Sequence, residues 1–567
     1  MKRFRDIIPE EYRRRGLWVI LAIFLRAMLN FLGLAVMLPV LMIILDSETL
    51  HSSSAMQWLY STLGFTSDRE FVIAVAFGVV AIIALKSLLS LALYSVERNY
   101  IYSLYRRLSL NLYATYYRRG LSFVKSVNSA VLGRNINVVC LSFVVGVLRP
   151  MATILCEVML FVMLFISLAV CSIKSAVIVL AIFIPAILIY YGLVRGRLIR
   201  YGEAENRAHR EKSKAVMETF RGFADVEINN AFPMMLRRVE RAMDEVIEAQ
   251  KRNTTLGMLP SLLTETGLAL GMALLIVATL YNFDAEITLI FGVFAVAAIR
   301  LMPSVRGIMN GWAAIKYNRY SIDTILNAEF DSIDNQEIDC SDKKFDFKHE
   351  IVLDSVGFHF DDDPENDVLH GITLTIKKGE HIGIRGESGA GKTTLFNLLL
   401  GLYEPTSGEI FIDGVKLDKT TRRSWQNSVG YVSQSVFLTD GTFAENVALG
   451  EESESIDRKR VAEALSRARL GDFIDSLKSG ADTRIGECGC RLSGGQRQRI
   501  GIARALYKGA DILFFDEATS SLDDKTEQEI NLSIEELSKS NSELTIVVIA
   551  HRESSLSYCK RVIDLQK

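Results

Sequence analysis

The apolar residues of this chain crowd into the first half, before about residue 303, in six stretches long enough to cross a bilayer, and this distribution limits the fold more than any other feature. A bilayer core of about 30 Å takes about 20 helical residues. Stretches of that length lie near Leu17–Leu45, Phe71–Val96, Val147–Ala169, Ser175–Val194, Leu256–Tyr281 and Ala285–Met302. From His349 onward the composition is that of an ordinary water-soluble domain. The 567 residues, half of them hydrophobic, therefore divide into one part in lipid and one in water. Lys+Arg 64 nearly balances Asp+Glu 66, and no nucleic-acid partner is expected.

Basic residues alternate between the intervals. Lys2, Arg3, Arg5, Arg13, Arg14 and Arg15 precede the first stretch, and Glu97–Gly146 and Arg195–Asn253 are rich in Lys and Arg, whereas Asp46–Glu70 has only Arg69 and Asn282–Asp284 has none. The positive-inside bias places both termini in the cytosol. The first stretch is longer than the apolar core of a signal peptide, which takes about 7–15 residues, and no small-residue cleavage site follows it, so it reads as an anchor. Residues 1–16 either lie along the cytosolic headgroups or act as a charged flank that sets orientation. No cysteine falls in an outer interval, so no disulfide framework is expected, and Cys488-x-Cys490 lacks the second pair or the histidines of a metal site.

The inner intervals continue the spans as helices, since Leu104, Leu108, Leu112 and Tyr116 recur every fourth residue. A helix of about twenty further residues reaches about 30 Å into the cytosol. Gly120, Gly133, Gly222 and Pro233 mark the turns at the tips. Arg26, Lys86, Arg149, Glu157, Glu265 and Arg300 are ionisable at membrane depth, where a charge needs a partner or a water-filled cavity. Arg26, Arg149 and Glu157 read equally as groups that face a cavity and as charges that simply pair or snorkel. Lys86 and Arg300 sit well inside their spans, and as cavity-facing cations they suit an anionic substrate.

In the soluble half, Gly386, Glu387, Ser388, Gly389, Ala390, Gly391, Lys392 and Thr393 spell GESGAGKT, which follows a strand-like run and leads into a helical one whose N-terminus is at Lys392 to Leu395, with Thr394 in its first turn. Such a loop offers bare backbone N–H groups to a polyphosphate, a lysine to its terminal phosphates and a hydroxyl to Mg²⁺, and the helix N-terminus adds its dipole. About a hundred residues later comes LSGGQ at Leu492 to Gln496, and then ILFFDEATSSLD at Ile512 to Asp523.

These motifs together resemble the ATP-binding cassette (ABC) family over nearly all of residues 350–567. The resemblance implies an exporter-type ABC fold: an α-helical membrane domain with six transmembrane helices and long cytosolic extensions, joined to an α/β P-loop ATPase domain and working as a homodimer. In that arrangement residues 17–330 form the membrane domain, with an outer segment at 46–70 and inner hairpins at 97–146 and 195–255, 331–349 form a linker and 350–567 the cassette. Short transverse helices near Leu121–Leu132 and Arg221–Phe232 are implied at the hairpin tips.

Each ATP is implied to lie between the P-loop of one copy and Ser493, Gly494, Gly495 and Gln496 of the other. Phe360, in VGFHF ahead of the first strand pair, is implied to stack on adenine, where many members carry tyrosine. Gln434 is implied to touch Mg²⁺, together with Thr393 and Asp516, while Glu517 polarises the attacking water, His551 contacts the γ-phosphate and Asp523 joins the dimer seam. Glu487 matches a loop that meets the opposite transverse helix.

AIRLMPSVRGIMN (Ala298 to Asn310), VMLPVLMI (Val36 to Ile43) and AMQWLYSTLGF (Ala55 to Phe65) are similar to bacterial lipid-linked oligosaccharide flippases. Trp58, Leu59 and Leu63 share one face of that last segment, which reads either as an external helix that serves cargo or as a capped loop packed on its own spans. The function implied is ATP-driven movement of an amphipathic anionic lipid to the outer leaflet of the bacterial cytoplasmic membrane. Export of drugs, peptides or other lipids is the alternative, and intact Glu517 and His551 speak against a non-pumping channel or regulator.

Overall fold

The computed structural model describes residues 8, 10–36, 60, 67–171, 173–281, 285–328, 343–360, 363–486, 489–518, 524–540, 542–550 and 552–565. The chain forms two compact units, one of residues 1–119 with 124–333 and one of residues 120–123 with 334–567.

The first unit is built of long helices: α1 (Glu10–Ala35), α2 (Asp68–Arg118), α3 (Arg149–Cys171), α4 (Ile173–Arg221), α5 (Phe232–Tyr281) and α6 (Ala285–Tyr317). Among the described residues five helical stretches are long and apolar enough to cross a membrane: Glu10–Gly33, Arg69–Arg118, Ser129–Val170, Ala176–Arg221 and Phe232–Ala273. α2, α4 and α5 run for 51, 49 and 50 residues, more than twice what a bilayer core needs. Their length follows from continuous helical periodicity without internal caps. Leu104, Leu108, Leu112 and Tyr116 all lie buried along α2, as their fourfold spacing requires. Phe77, Val80, Leu85 and Leu88 of the same helix face outward, a large apolar surface that suits lipid and not water.

Packing pairs α1 with α2 and α3, α3 with α6, and α4 with α5 and α6. Phe183, Tyr190 and Val194 of α4 interlock with Leu301, Val305 and Met309 of α6. Near the end of this contact a Cβ on Gly202 would collide with the Tyr317 carbonyl oxygen, so only glycine lets the two backbones approach so closely.

The tips depart from expectation in two ways. The single transverse helix expected over Leu121–Leu132 is two helices, Gly120–Ser126 and Ser129–Arg134. Asn128 starts the second by accepting the Ala130 N–H at 2.9 Å, as an N-cap does. Gly133 therefore lies inside a helix, not at a turn, and is followed by π-helical turns at Asn135–Val139 and Val144–Leu148 that lead into α3. Pro233 likewise sits in the first turn of α5, where its missing N–H costs nothing. The second short helix is Phe223–Ile228.

The second unit holds two sheets. β1 (Glu350–Phe358), β2 (Leu369–Lys377), β4 (Ser407–Ile412) and β5 (Val415–Lys416) form an antiparallel sheet in the order β2-β1-β4-β5. Val356–Phe358 belong to β1 itself, correcting the expectation that VGFHF precedes the strands, because β1 carries register shifts that prolong its pairing with β2. The other sheet is parallel, β6 (Val429–Val432), β7 (Ile512–Asp516), β8 (Thr545–Ile549), β3 (His381–Arg385) and β9 (Arg561–Asp564), in the order β6-β7-β8-β3-β9. ILFF and TIVVI are buried on both faces, which parallel strands covered by helices require. α7 (Lys392–Leu399), α8 (Gly494–Lys508) and α9 (Asp524–Ser540) connect or cover them.

Candidate nucleotide site

Parallel strands end together, and in open α/β sheets the crevice beyond their carboxyl ends is the binding edge. The chain leaves β3 into the glycine loop, β6 toward Gln434, β7 into Glu517 and β8 toward His551. Register fixes this convergence: Ile384 and Asp516 both pair with Ile549 of β8, and the Glu517 N–H donates to the Ile549 carbonyl at 2.9 Å.

Within the loop, Gly389 and Gly391 have φ of 84° and 83°. A Cβ on Gly391 would stand 2.6 Å from Leu369 Cδ2 and 3.0 Å from the Val368 carbonyl, so both conformation and space demand glycine there. α7 begins at once, with Leu395 N–H donating to Gly391 O at 2.8 Å, and the N–H groups of its first turn have no intrahelical acceptor. The Lys392 ammonium is held at the loop by Gly386 O at 2.8 Å and Glu387 O at 2.9 Å, and its side chain is buried. Ser388 and Thr393 are exposed, Thr394 half-buried. Cation, hydroxyls and oriented N–H groups on one helix terminus form an anion site.

At the neighbouring strand ends, the Gln434 side-chain amide donates to the Glu517 carboxylate at 2.8 Å. Glu517 has φ of 48°, a left-handed conformation that a long side chain seldom adopts. Asp516 is buried and accepts from the Tyr431 hydroxyl at 3.3 Å. Tyr431 pairs in register with Phe514, so its side chain shares the sheet face of Phe514 and Asp516. Burial, and then the Asp516 charge, push the Tyr431 phenol up from its ordinary value and keep it a donor. Sequence reasoning missed Tyr431, because only the β6–β7 register brings it to Asp516.

Phe360 stands just after β1, edge-on to Phe358 at 5.1 Å and to Tyr403 at 5.9 Å, half-buried. Ser493 caps α8. Its hydroxyl accepts the Gln496 N–H at 3.2 Å while the Gln496 side chain accepts the Ser493 N–H at 2.8 Å, a reciprocal capping box. The Gln496 side-chain oxygen is thus engaged by its own helix, while Ser493 is exposed and Gly494 half-buried at the tip. Among the described residues no hydrogen bond or ion pair links this tip to the glycine loop. Gln498, one turn along, donates to the Gln434 carbonyl at 2.7 Å and ties the same helix to the Gln434 segment.

Asp523, His551 and Glu487 lie outside the described residues. A cavity of about 670 Å³ in this unit is bordered by Leu400, Tyr431, Leu449, Arg504 and Lys508 but by no residue of the glycine loop or signature.

In the helical unit the Arg26 guanidinium pairs with Glu97 at 2.8 Å, Arg149 donates to the Tyr94 hydroxyl at 3.2 Å, and Arg306 pairs with Glu265 at 2.7 Å. Glu97 and Arg306 were not singled out by the sequence. The half-buried Lys86 lays its stem against Gly33 of α1. Trp58, Leu59 and Leu63 and the side chain of Arg300 lie outside the described residues, although the backbone at Arg300 is helical.

Residues 369–520 match the family model described as ABC transporter. The chain is 33% identical over 402 residues to an "ATP-dependent lipid A-core flippase" of Ralstonia nicotianae, an alignment covering 68% of this chain and 65% of that protein. A protein of the same name from Syntrophus aciditrophicus is 44% identical over 217 residues, covering 38% and 35%. The chain spans just under two thirds of the length of the first of these relatives. A solved structure, "a bacterial Atm1-family ABC exporter with ATP bound", superposes with a TM-score of 0.73 at 23% identity, covering 98% of this chain and 93% of that one. Glycine loop, capped signature helix and strand-end carboxylates therefore sit in a domain that matches the ABC transporter model, and the chain has the fold of an ABC exporter, one helical unit followed by one cassette.

Proposed function

We propose that this chain is an ATP-driven lipid exporter of a bacterial cytoplasmic membrane, with six membrane spans and both termini in the cytosol. In its finer form the reading makes the cargo an amphipathic anionic lipid, a lipid-linked oligosaccharide. The observation that carries the ATPase part is the hydrogen bond from Gln434 to Glu517 at the strand edge from which the glycine loop also emerges.

Lys392 and the α7 N–H groups hold the phosphates of ATP, with Gly386, Glu387, Ser388, Gly389, Ala390 and Gly391 as the cradle and Thr394 beside it. Thr393, Gln434 and Asp516 offer hard oxygen donors, the set that suits Mg²⁺. That ion, when bound, neutralises charge on the transferring phosphoryl group. Glu517 orients and polarises the attacking water, His551 steadies it, and Phe360 stacks on the adenine. Ser493, Gly494 and Gly495 present a second helix N-terminus to nucleotide. Since one chain carries one glycine loop and one signature, a second copy completes each site, with Asp523 at the seam.

The names of the relatives support a lipid as cargo. Lys86 and Arg300 are the cationic groups assigned to its anionic head, and Trp58, Leu59 and Leu63 the outer face along which its apolar part passes.

The test is reconstitution in proteoliposomes with three fluorescent probes: a polyprenyl-pyrophosphate glycan, a lipid A-core and a neutral hydrophobic drug. The reading expects ATP-dependent, vanadate-sensitive movement of the pyrophosphate glycolipid and matching stimulation of turnover. Movement of the lipid A-core alone leaves lipid export standing and overturns the oligosaccharide, while movement of the drug alone overturns lipid cargo.

A further inference from the structure

Glu527 is a carboxylate that the proposed reaction leaves unused, yet it is only 2% exposed. It lies on the first turn of α9, four residues after Asp523. Its Oε1 accepts from the hydroxyls of Ser554 and Ser555, each at 2.7 Å, and its Oε2 pairs with the Arg552 guanidinium. Three donors from four consecutive residues converge on one buried carboxylate. A buried charge is tolerated only with such satisfaction, and removing it would take this shared acceptor away from a guanidinium and two hydroxyls. Arg552 follows His551 directly in the chain, and Glu553–Leu556 form a short 3-10 turn whose Leu556 is buried in the cassette core. α9 thus holds the segment leading out of His551, and the anchor sits at the end of α9 nearest Asp523.

We propose that Glu527 is a positioning residue for ATP hydrolysis, which fixes the backbone that carries His551 relative to the helix that follows Asp523. The assignment rests on the ATPase reading above. Its chemistry is placement alone: Glu527 exchanges no proton with substrate and touches no phosphate. Three contacts limit the freedom of the chain at 552–555, the segment that directly follows His551 in the sequence. Displacement of a catalytic group by about 1 Å can cost on the order of a hundredfold in rate. The conserved shape of glutamine would fill the same space but bring an amide N–H₂ against donors, weakening the contacts without opening a cavity.

The experiment measures steady-state ATPase and equilibrium nucleotide affinity of the full-length protein in nanodiscs for wild type, E527Q, H551A and E527Q with H551A. E527Q is expected to lower kcat about tenfold or more while KM and nucleotide affinity stay within about twofold. In the slow H551A background E527Q should cause no further loss, because its effect passes through that histidine. An equal fold-loss in both backgrounds, wild-type turnover in E527Q, or a parallel fall in nucleotide affinity overturns the assignment. Should E527Q not be recovered folded, S554A carries the same cycle, since it removes one donor and leaves the Arg552 pair in place. Absence of turnover in wild type overturns the ATPase reading together with this one; turnover in wild type with no dependence on Glu527 overturns only this one.

Discussion

The side-chain amide of Gln434 rests on the carboxylate of Glu517 at 2.8 Å, across 83 residues of sequence. The same Gln434 accepts through its backbone carbonyl from Gln498 of the signature helix. One residue thereby joins the carboxylate assigned to water activation with the helix assigned to a second nucleotide, and the left-handed backbone at Glu517 is held by its N–H on Ile549.

Glu517→Gln and Lys392→Ala are expected to fail in different ways. The glutamine keeps shape and loses the base, so hydrolysis falls by about a hundredfold or more with nucleotide binding intact. The alanine deletes the ammonium held at the loop, and since a charge-assisted hydrogen bond contributes about 1.5–3 kcal/mol, nucleotide affinity itself falls by tenfold or more. Equilibrium binding measured beside turnover separates the two, and equal affinity in Lys392→Ala contradicts the loop assignment.

Lys86→Ala and Arg300→Ala are expected to cut movement of a pyrophosphate lipid, with the loss appearing in cargo-stimulated turnover and not in nucleotide affinity. Arg300→Lys recovers part of it, because an ammonium keeps the charge but lacks the bidentate fork. Replacing Trp58, Leu59 and Leu63 together by serine should lower cargo stimulation in the same assay. Normal transport by both alanine variants removes these cations from the cargo path.

The Arg26–Glu97 pair is nearly enclosed, with Glu97 only 3% exposed in its side chain. Glu97→Leu alone leaves a buried guanidinium without its partner and should destabilise the helical unit by about 3–5 kcal/mol. Arg26→Met added to it should restore most of that, since two apolar groups need no partner. Thermal melting in nanodiscs reads the difference, and equal melting of single and double variants shows that the pair contributes nothing.

Two carboxylates of the cassette set an acid limit. Burial pushes the Asp413 carboxyl up, but the N–H groups of Lys348, Glu350 and His349 outweigh it and hold the group below its ordinary 3.8. Burial likewise raises Glu527, and Ser554, Ser555 and Arg552 outweigh it to hold that group below 4.5. A carboxylate with a lowered folded-state pKa gives its full stabilisation above the unfolded value and loses it as pH falls through the folded one. Cassette stability is therefore expected to be insensitive to these groups above about pH 5 and to decline below it. Asp413→Asn should flatten part of that decline in denaturant melts; an unchanged slope dissociates Asp413 from it.

The amino-acid sequence alone determined what local spacing controls: lipid-facing helices from apolar length, buried strands from ILFF and TIVVI, and the phosphate loop from glycines whose φ no other residue adopts without strain. It also marked Gln434, Asp516 and Glu517 by their places at strand ends. Tip geometry was less legible, because a single side chain, Asn128, starts a new helix where composition shows only turn residues. Tertiary structure alone decided the pairings. Arg26 with Glu97, Arg306 with Glu265, Tyr431 with Asp516 and Glu527 with Arg552 join residues from separate elements. A charge or hydroxyl is satisfied by whatever face the packing and strand register bring against it, and sequence separation carries no record of that.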